Sequence, residues 1–213
     1  AGTSVTPKLR ATFNKNDAGD LTKLEILKGD QSVGNGTATP YDYSGEAIVI
    51  GDETVTFTAK ATYNEGEIKN NNLGQQSPNG HIAAGSVTSG NYSINGRRNM
   101  FYGTGVGETP SLTSDVVRGL ANKRLNPTQG TVFNIPIAIG QQYVIFAYPA
   151  TLRDVSQVMY TETNDTGMAS SFTKTLVDVA DARGGENGKK SYKVYSYSMA
   201  TPAAAGMTFK VTI

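Results

Sequence analysis

The chain has 213 residues, a net charge of +1 and no cysteine, which excludes disulfides, thiolate zinc sites and thiol catalysis. Its basic residues are scattered, which argues against a nucleic-acid partner, and no run of about 20 apolar residues predicts a membrane span. Only 17% of the residues are charged and 24 are glycine, a composition typical of many short strands joined by tight turns.

Strand patterns begin early in the chain. Lys8–Phe13 and Leu21–Leu27 are strand candidates, and the Asn- and Asp-rich segment between them predicts a turn. Ser32–Ser44 predicts a loop, because it contains an Asn-Gly turn and a proline. Strict alternation of apolar and polar residues from Val55 to Thr62 predicts a half-buried strand.

The strand pattern is interrupted between Asn64 and Asn79, where Glu, Asn, Gln and Gly predominate. This composition predicts an exposed loop. Weak strand patterns follow as far as an Asn95-Gly96 turn, where we place a boundary between an N-terminal domain, residues 1–95, and a C-terminal domain, residues 96–213. Alternatively, the long loop is an insertion in one continuous architecture.

One short helix is predicted near residues 113–122. Thr113 or Ser114 can cap it, and an acidic residue at 115 favours the positive end of the helix. The preceding segment Gly103–Gly107 lacks the GxxxxGK pattern of a phosphate-binding loop, so we expect a flexible connection into the helix.

Regularly spaced strands follow the helix. The last of them, Met207–Ile213, alternates so that Phe209, Val211 and Ile213 share one face. The remaining candidates are Thr131–Ile139, Tyr143–Tyr148, Val155–Thr161, Phe172–Val179 and Tyr192–Tyr197. Short strands at this spacing predict a mostly β protein with antiparallel β-sandwich, Ig-like architecture in two domains.

Catalytic patterns are weak. His81 is the only histidine, it lies in a loop-like segment, and no GxSxG motif supplies a nucleophile. A histidine-based metal site has no partner residues, and no pair of carboxylates stands out as a glycosidase pair. We therefore expect no enzyme activity, no catalytic residue and no cofactor.

Acidic residues cluster in two turns. One group surrounds Gly184-Gly185, and a second lies at residues 14–20. Oxygen ligands in such turns can bind Ca²⁺, but neither spacing matches an EF-hand, and acidic residues are common in turns. We expect ordinary turns, with Ca²⁺ binding as the alternative. The residues are Asp178, Asp181, Glu186 and Asn187 in the first group and Asn14, Asn16, Asp17 and Asp20 in the second.

Four residues are candidates for an interface or glycan contact. Tyr195 and Tyr197 share one face of a predicted strand, where a tyrosine ring can stack on a sugar or anchor a protein partner, or simply cover the sandwich edge. Arg97 and Arg98 stand beside an apolar-aromatic segment and are expected to pin the two halves of the chain together rather than to bind a ligand.

Several segments together resemble a module in the virion structural proteins of tailed bacteriophages, including phages of gut bacteria. That module often lies at the C-terminal end of longer fibre, appendage or baseplate-like chains. The resemblance covers roughly residues 60–213 well and the first part loosely. It rests on Tyr63–Gly66, Asn72–Gly74, Ile82–Ser86, Gly96–Arg98, Phe101–Thr104, Thr113–Leu120, Tyr143–Pro149, Tyr192–Tyr195 and Phe209–Ile213.

The resemblance implies a non-enzymatic virion component that is assembled in the bacterial cytoplasm. Such a component would be a surface fibre, a head or neck appendage, or a tail-tip module that acts in assembly or host attachment. It also implies other virion proteins as partners, homo-oligomerisation, and a host glycan or protein as a receptor. The alternative is a carbohydrate-binding or adhesin domain of a bacterial surface protein.

Overall fold

The computed structural model describes residues 1–76 and 80–213. With 47% of the chain in strands and 4% in helices, the protein is mostly β, as predicted. The chain divides into two compact units, which we call the N-terminal unit (Thr3–Gly96) and the C-terminal unit (Ala1–Gly2 with Arg97–Ile213). The predicted division into domains after residue 95 stays a prediction, because compactness alone does not show independent folding.

In the part of the N-terminal unit that the structure describes there are nine strands, all paired antiparallel. A central sheet has the order β4-β3-β7-β8, with β9 also paired to β7, and two ribbons are formed by β1 with β6 and by β2 with β5. The strands are β1 (Thr3–Val5), β2 (Lys8–Ala11), β3 (Leu21–Lys28), β4 (Gln31–Gly36), β5 (Tyr41–Ser44), β6 (Ile48–Ile50), β7 (Val55–Tyr63), β8 (Gly85–Thr88) and β9 (Tyr92–Ile94).

The core of this unit lies between the central sheet and the β2–β5 ribbon. Alternation along β7 directs Phe57 and Ala61 into it, beside Leu24 and Ile26 of β3 and Ala11 of β2. These apolar side chains, removed from water on facing sheets, hold the ribbon against the sheet.

The predicted loop at Ser32–Ser44 is wrong, because it contains most of β4 and all of β5. A Cβ on Gly34 would lie 2.7 Å from Tyr43 Cδ2, and one on Gly36 would lie 2.8 Å from Tyr41 Cδ2. The two glycines therefore leave room for tyrosine rings to lie against the backbone of β4. A strand that contains glycine for this reason has a loop-like composition.

The C-terminal unit contains eight strands in two antiparallel sheets. The larger sheet has the order β11-β10-β13-β16-β15, and the smaller one has the order β12-β17-β14. The elements are β10 (Asn99–Gly105), α1 (Ser114–Arg118), β11 (Asn122–Leu125), β12 (Val132–Ile137), β13 (Tyr143–Pro149), β14 (Gln157–Tyr160), a 3₁₀ turn (Met168–Ser171), β15 (Thr173–Val179), β16 (Lys190–Ser198) and β17 (Met207–Thr212).

The two sheets of this unit pack face to face through an aromatic core. Phe146 of β13 lies at its centre, with ring centroids 4.9 Å from Tyr195, 5.3 Å from Phe172 and 5.9 Å from Phe133. Phe209 on the opposite sheet contacts Phe172 at 5.6 Å. The C-terminal alternation is confirmed: the apolar residues of β17 and Ile213 face this core, whereas Lys210 is exposed.

The α-helix of this unit, α1, covers the other face of the five-stranded sheet. The Thr113 Oγ1 accepts a hydrogen bond from the Val116 N–H at 3.3 Å, so Thr113, one of the two predicted capping residues, is the N-cap. Val117 is fully buried against Ile145 and Tyr192 of the sheet.

The predicted extent of the helix, to residue 122, is wrong. The helix ends at Arg118 with Gly119 as its C-cap, and Asn122 already begins β11, which pairs with β10. Glycine is a poor helix former, and the following residues instead gain cross-strand hydrogen bonds at the sheet edge.

The expected flexible connection at Gly103–Gly107 is also wrong in part. Gly103 and Gly105 belong to β10, and a Cβ on Gly105 would lie 2.2 Å from the Tyr143 hydroxyl oxygen on the neighbouring strand. The glycine therefore makes space for an aromatic side chain within a regular sheet.

The aromatic core predicts that replacing Phe146 by alanine is strongly destabilising. Phe146→Ala removes a fully buried ring that contacts several others, so we expect the free energy of unfolding of the C-terminal unit to fall by about 3–5 kcal/mol. Urea denaturation followed by circular dichroism measures this loss. Val106→Ala, at a side chain 72% exposed in the same unit, is the matched control and should change stability by less than about 0.5 kcal/mol. Equal effects of the two changes would contradict this core.

Candidate functional site

The predicted contact role of Tyr195 is contradicted by its burial. The side chain is only 4% exposed, and its hydroxyl oxygen accepts a hydrogen bond from the Val155 N–H at 3.2 Å. Burial raises the pKa of the neighbouring Tyr148, whose hydroxyl donates to the Arg153 carbonyl at 3.1 Å. Tyr195 therefore belongs to the core and presents no surface to a glycan.

Tyr197 lies on the same face of β16 as Tyr195, as the alternation predicted. Its ring contacts Phe172 at 5.3 Å and Phe209 at 5.8 Å, and the side chain is half-buried at the margin of the aromatic core. A role of its remaining exposed edge in an interface or glycan contact stays a prediction.

The two arginines at 97 and 98 differ in their surroundings. Arg97 is exposed. The Arg98 guanidinium donates hydrogen bonds to the main-chain carbonyls of Val179 and Gly188, all within the C-terminal unit. Arg98 therefore braces the turn that joins β15 to β16, and the expectation that these arginines pin the two halves together stays a prediction.

The acidic cluster around Gly184-Gly185 is organised by an arginine. Asp181 has a side chain only 1% exposed and makes bidentate contacts with the Arg183 guanidinium at 2.6–3.1 Å. Hydrogen bonding from Arg183 lowers the pKa of Asp181, despite the opposing effect of burial. The charge of the one buried carboxylate of this turn is thus neutralised by a guanidinium.

The second acidic turn has lysine partners. Lys15 Nζ lies 2.7 Å from Asp20 Oδ1, and Lys69 Nζ lies 2.7 Å from Asp17 Oδ1. Across residues 1–76 and 80–213, no group of three or more His, Asp or Glu side chains is placed to hold a metal ion. Ca²⁺ binding in either turn therefore has no support from the geometry.

His81 lies in the connection between β7 and β8. Its Nε2 is 2.8 Å from Glu65 Oε1, which gives an imidazole–carboxylate pair. The preceding Pro78 and Asn79, part of the loop-like segment predicted around this histidine, lie outside the described residues. The His81 Nδ1 is buried and has no hydrogen-bond partner among the described residues. The expectation that His81 is an ordinary loop histidine stays a prediction.

Residues 64–76 and 80–82 lie in the connection between β7 and β8, and we call them the 64–82 arm. Its two sides are joined by main-chain hydrogen bonds from the Gly66 N–H to the Ile82 carbonyl at 2.8 Å and from the Lys69 N–H to the Gly80 carbonyl at 3.0 Å. At the turn, Asn71 Oδ1 accepts hydrogen bonds from two following main-chain N–H groups. The described residues of the arm are therefore held together by main-chain and side-chain hydrogen bonds.

The base of the arm is fixed to the turn at residues 14–20. The Gly19 N–H donates to the Asn64 carbonyl at 2.9 Å, and the Lys69–Asp17 ion pair joins the same two segments. A Cβ on Gly66 would lie 2.0 Å from the Asp17 carbonyl oxygen, so only glycine permits this close approach.

The arm exposes large apolar side chains in an otherwise polar segment. Leu73 at the turn is 82% exposed, and Ile68 and Ile82 on the two sides are 51% and 41% exposed. Single exposed apolar residues are common on protein surfaces, and what distinguishes these three is the hydrogen-bonded backbone that carries them. The sequence predicted the exposure of this segment, and the isolated apolar residues within it were a signal that the prediction did not use.

A shallow groove in the same unit lies beside the β2–β5 ribbon. It encloses about 360 Å³, within the range of small-ligand sites, and combines Tyr43 with the polar side chains of Lys28, Gln31, Ser32 and Glu46. Sequence analysis missed this groove because its residues come from separate segments of the chain, and some of them, including Ser32 and Tyr43, lay in the segment that was predicted to be a loop.

A charge cluster lies on the five-stranded sheet of the C-terminal unit. Asp154 receives hydrogen bonds from Lys174 at 2.8 Å and from Lys193 at 2.9 Å. Hydrogen bonds from the two ammonium groups lower the pKa of Asp154 from 3.8 to about 2, and the bond from Lys174 has the larger effect. One carboxylate thus forms ion pairs with two lysines from the neighbouring strands β15 and β16.

The chain matches no protein-family model, no curated protein and no solved structure. The helices of the described residues include none long and apolar enough to cross a membrane.

The Asp154 cluster predicts a specific pH dependence. Because the pKa of Asp154 is lower in the folded chain, its charged form stabilises the fold above about pH 4, and this contribution is lost as the pH falls towards 2. A carboxyl-carbon NMR titration should give a midpoint near 2 for Asp154, and Lys174→Met should raise it. Lys189→Met, which removes a lysine bound to Glu186 instead, is the control and should leave it unchanged. A midpoint near 3.8 in the unmodified chain would contradict the cluster.

Proposed function

We propose that this chain is a non-enzymatic structural component of a bacteriophage virion that acts in assembly or attachment to the host surface. The 64–82 arm carries this proposal, because it presents Leu73, Ile68 and Ile82 to solvent on a backbone held by hydrogen bonds. Preformed apolar contacts bind without a large loss of conformational freedom.

The C-terminal unit supports the same proposal. Three of the segments that resemble phage virion proteins, Tyr143–Pro149, Tyr192–Tyr195 and Phe209–Ile213, lie on the strands that build its aromatic core. A sandwich with this core is a rigid support for exposed contact elements. On a particle that carries many copies, weak contacts of this kind add up through avidity.

Immunogold electron microscopy tests the virion setting. We expect an antibody raised against the 213-residue chain to label intact particles of the phage that encodes it. Label at the tail or fibre tips supports attachment, and label over the capsid or neck supports assembly or decoration. Unlabelled particles, with an antibody that recognises the purified chain, would overturn the proposal.

If label is found at the tail or fibre tips, competition for adsorption to host cells tests the 64–82 arm. Purified chain should reduce phage adsorption to host cells, and Leu73→Asn should weaken that competition. Ile139→Asn, at a side chain 73% exposed in the C-terminal unit, is the matched control and should compete as well as the unmodified chain. Equal competition by all three chains would show that the arm is not the contact surface.

A second candidate function, glycan binding by a bacterial surface adhesin, is favoured by the groove at Tyr43. Aromatic rings beside polar side chains are a common way to hold a sugar. On a glycan array, Gln31→Ala and Glu46→Ala should abolish any specific signal, whereas Gln157→Ala in the C-terminal unit should not. A signal that survives both groove changes would remove this candidate.

A further inference from the structure

Strand β15 forms one edge of the five-stranded sheet in the C-terminal unit. It pairs with β16 along all seven of its residues, Thr173–Val179, and among the described residues no strand pairs with its other edge. Most of its residues are exposed, and Leu176 is 63% exposed. The strand contains neither proline nor glycine, the residues that commonly block an open edge or weaken a strand. This edge is therefore able to pair with a further strand.

The sequence of β15 is complementary to itself when two copies run antiparallel. Lys174, Leu176 and Asp178 share one face because side chains alternate along a strand. If Leu176 of one copy stands opposite Leu176 of a second copy, Lys174 of each copy stands opposite Asp178 of the other. The register thus brings together two opposite-charge pairs around a central leucine pair, and a two-fold axis relates them.

The charged side chains around β15 are unevenly paired within one chain. A second copy in this register would supply the missing partners. Lys174 and Lys193 share a single carboxylate, Asp154. Asp178 makes no ion pair with any residue of the parts that the structure describes. In this register, Asp178 of the second copy would lie opposite Lys174 of the first. Lys174 of the second copy would lie opposite Asp178 of the first.

We propose that β15 is a homodimerisation edge, at which two copies of this chain pair antiparallel about Leu176 and join their five-stranded sheets into one. The proposal rests on the edge and its charges, and it does not depend on the virion setting. A single strand pair buries less area than a standard protein interface, so the dimer is weak in dilute solution and depends on concentration.

Charge reversal tests the register. By sedimentation velocity over a concentration series, the unmodified chain should self-associate, and Asp178→Lys or Lys174→Asp alone should weaken this at least about tenfold, because each places like charges opposite each other twice. A mixture of the two variants should associate again, since the lysines of one chain then face the aspartates of the other. Glu53→Lys, an equal charge change at an exposed residue of the N-terminal unit, is the control and should behave as the unmodified chain.

Disulfide trapping tests the same register without a charge change. The chain has no cysteine, so Leu176→Cys introduces the only thiol. Opposed Cα atoms in an antiparallel pair lie about 4.5–5.5 Å apart, which is within disulfide range. In the same register, the Cα atoms of the two residues at position 173 lie roughly 20 Å apart, so the thiols of Thr173→Cys cannot meet. Oxidation should give a covalent dimer faster for Leu176→Cys. The proposal would be overturned if the two cysteine variants were trapped equally. It would also be overturned if sedimentation showed a monomer at every concentration, or a dimer that Asp178→Lys leaves intact.

Discussion

The contact between Phe146 and the rings around it is the interaction on which the C-terminal unit depends. β13 lies in the middle of the five-stranded sheet and is buried on both faces, so its side chains define two cores. Phe146 packs towards the three-stranded sheet, and Ile145 and Ala147 on the opposite side pack towards α1. Because aromatic rings bury a large area and pack at defined angles, this one strand determines the spacing of the sheet, its partner sheet and the helix.

Much of this fold could be predicted from the sequence wherever one face of a strand is buried and the other is exposed. β7 and β17 show that pattern directly, and the period of two also placed Tyr195 and Tyr197 on a common face. The period does not say which face is inside. A tyrosine is as compatible with a sugar-binding surface as with a core, and only the facing sheet, with Phe209 and the Val155 N–H, decides that Tyr195 is internal.

The elements that sequence analysis missed depend on contacts that local composition does not reveal. β4 contains glycine because of tyrosines that follow it by several residues, and β11 exists because β10 offers it an edge. The charged turns show the same dependence: Asp17 pairs with Lys69, which is remote in the sequence, and Asp154 pairs with lysines from two strands. Local composition identified exposed polar segments correctly, but their ion pairs and the hydrogen bonds within the 64–82 arm come from tertiary structure.

The packing of Tyr41 and Tyr43 against Gly36 and Gly34 has a consequence for how this sequence can diverge. A side chain at either glycine would overlap a tyrosine ring, so it requires the ring on β5 to move or to become smaller. Substitutions at these positions are therefore coupled in pairs across the sandwich. A substitution that enlarges a glycine and leaves its tyrosine unchanged is therefore expected to cost stability, and each strand restricts the sequence of the other.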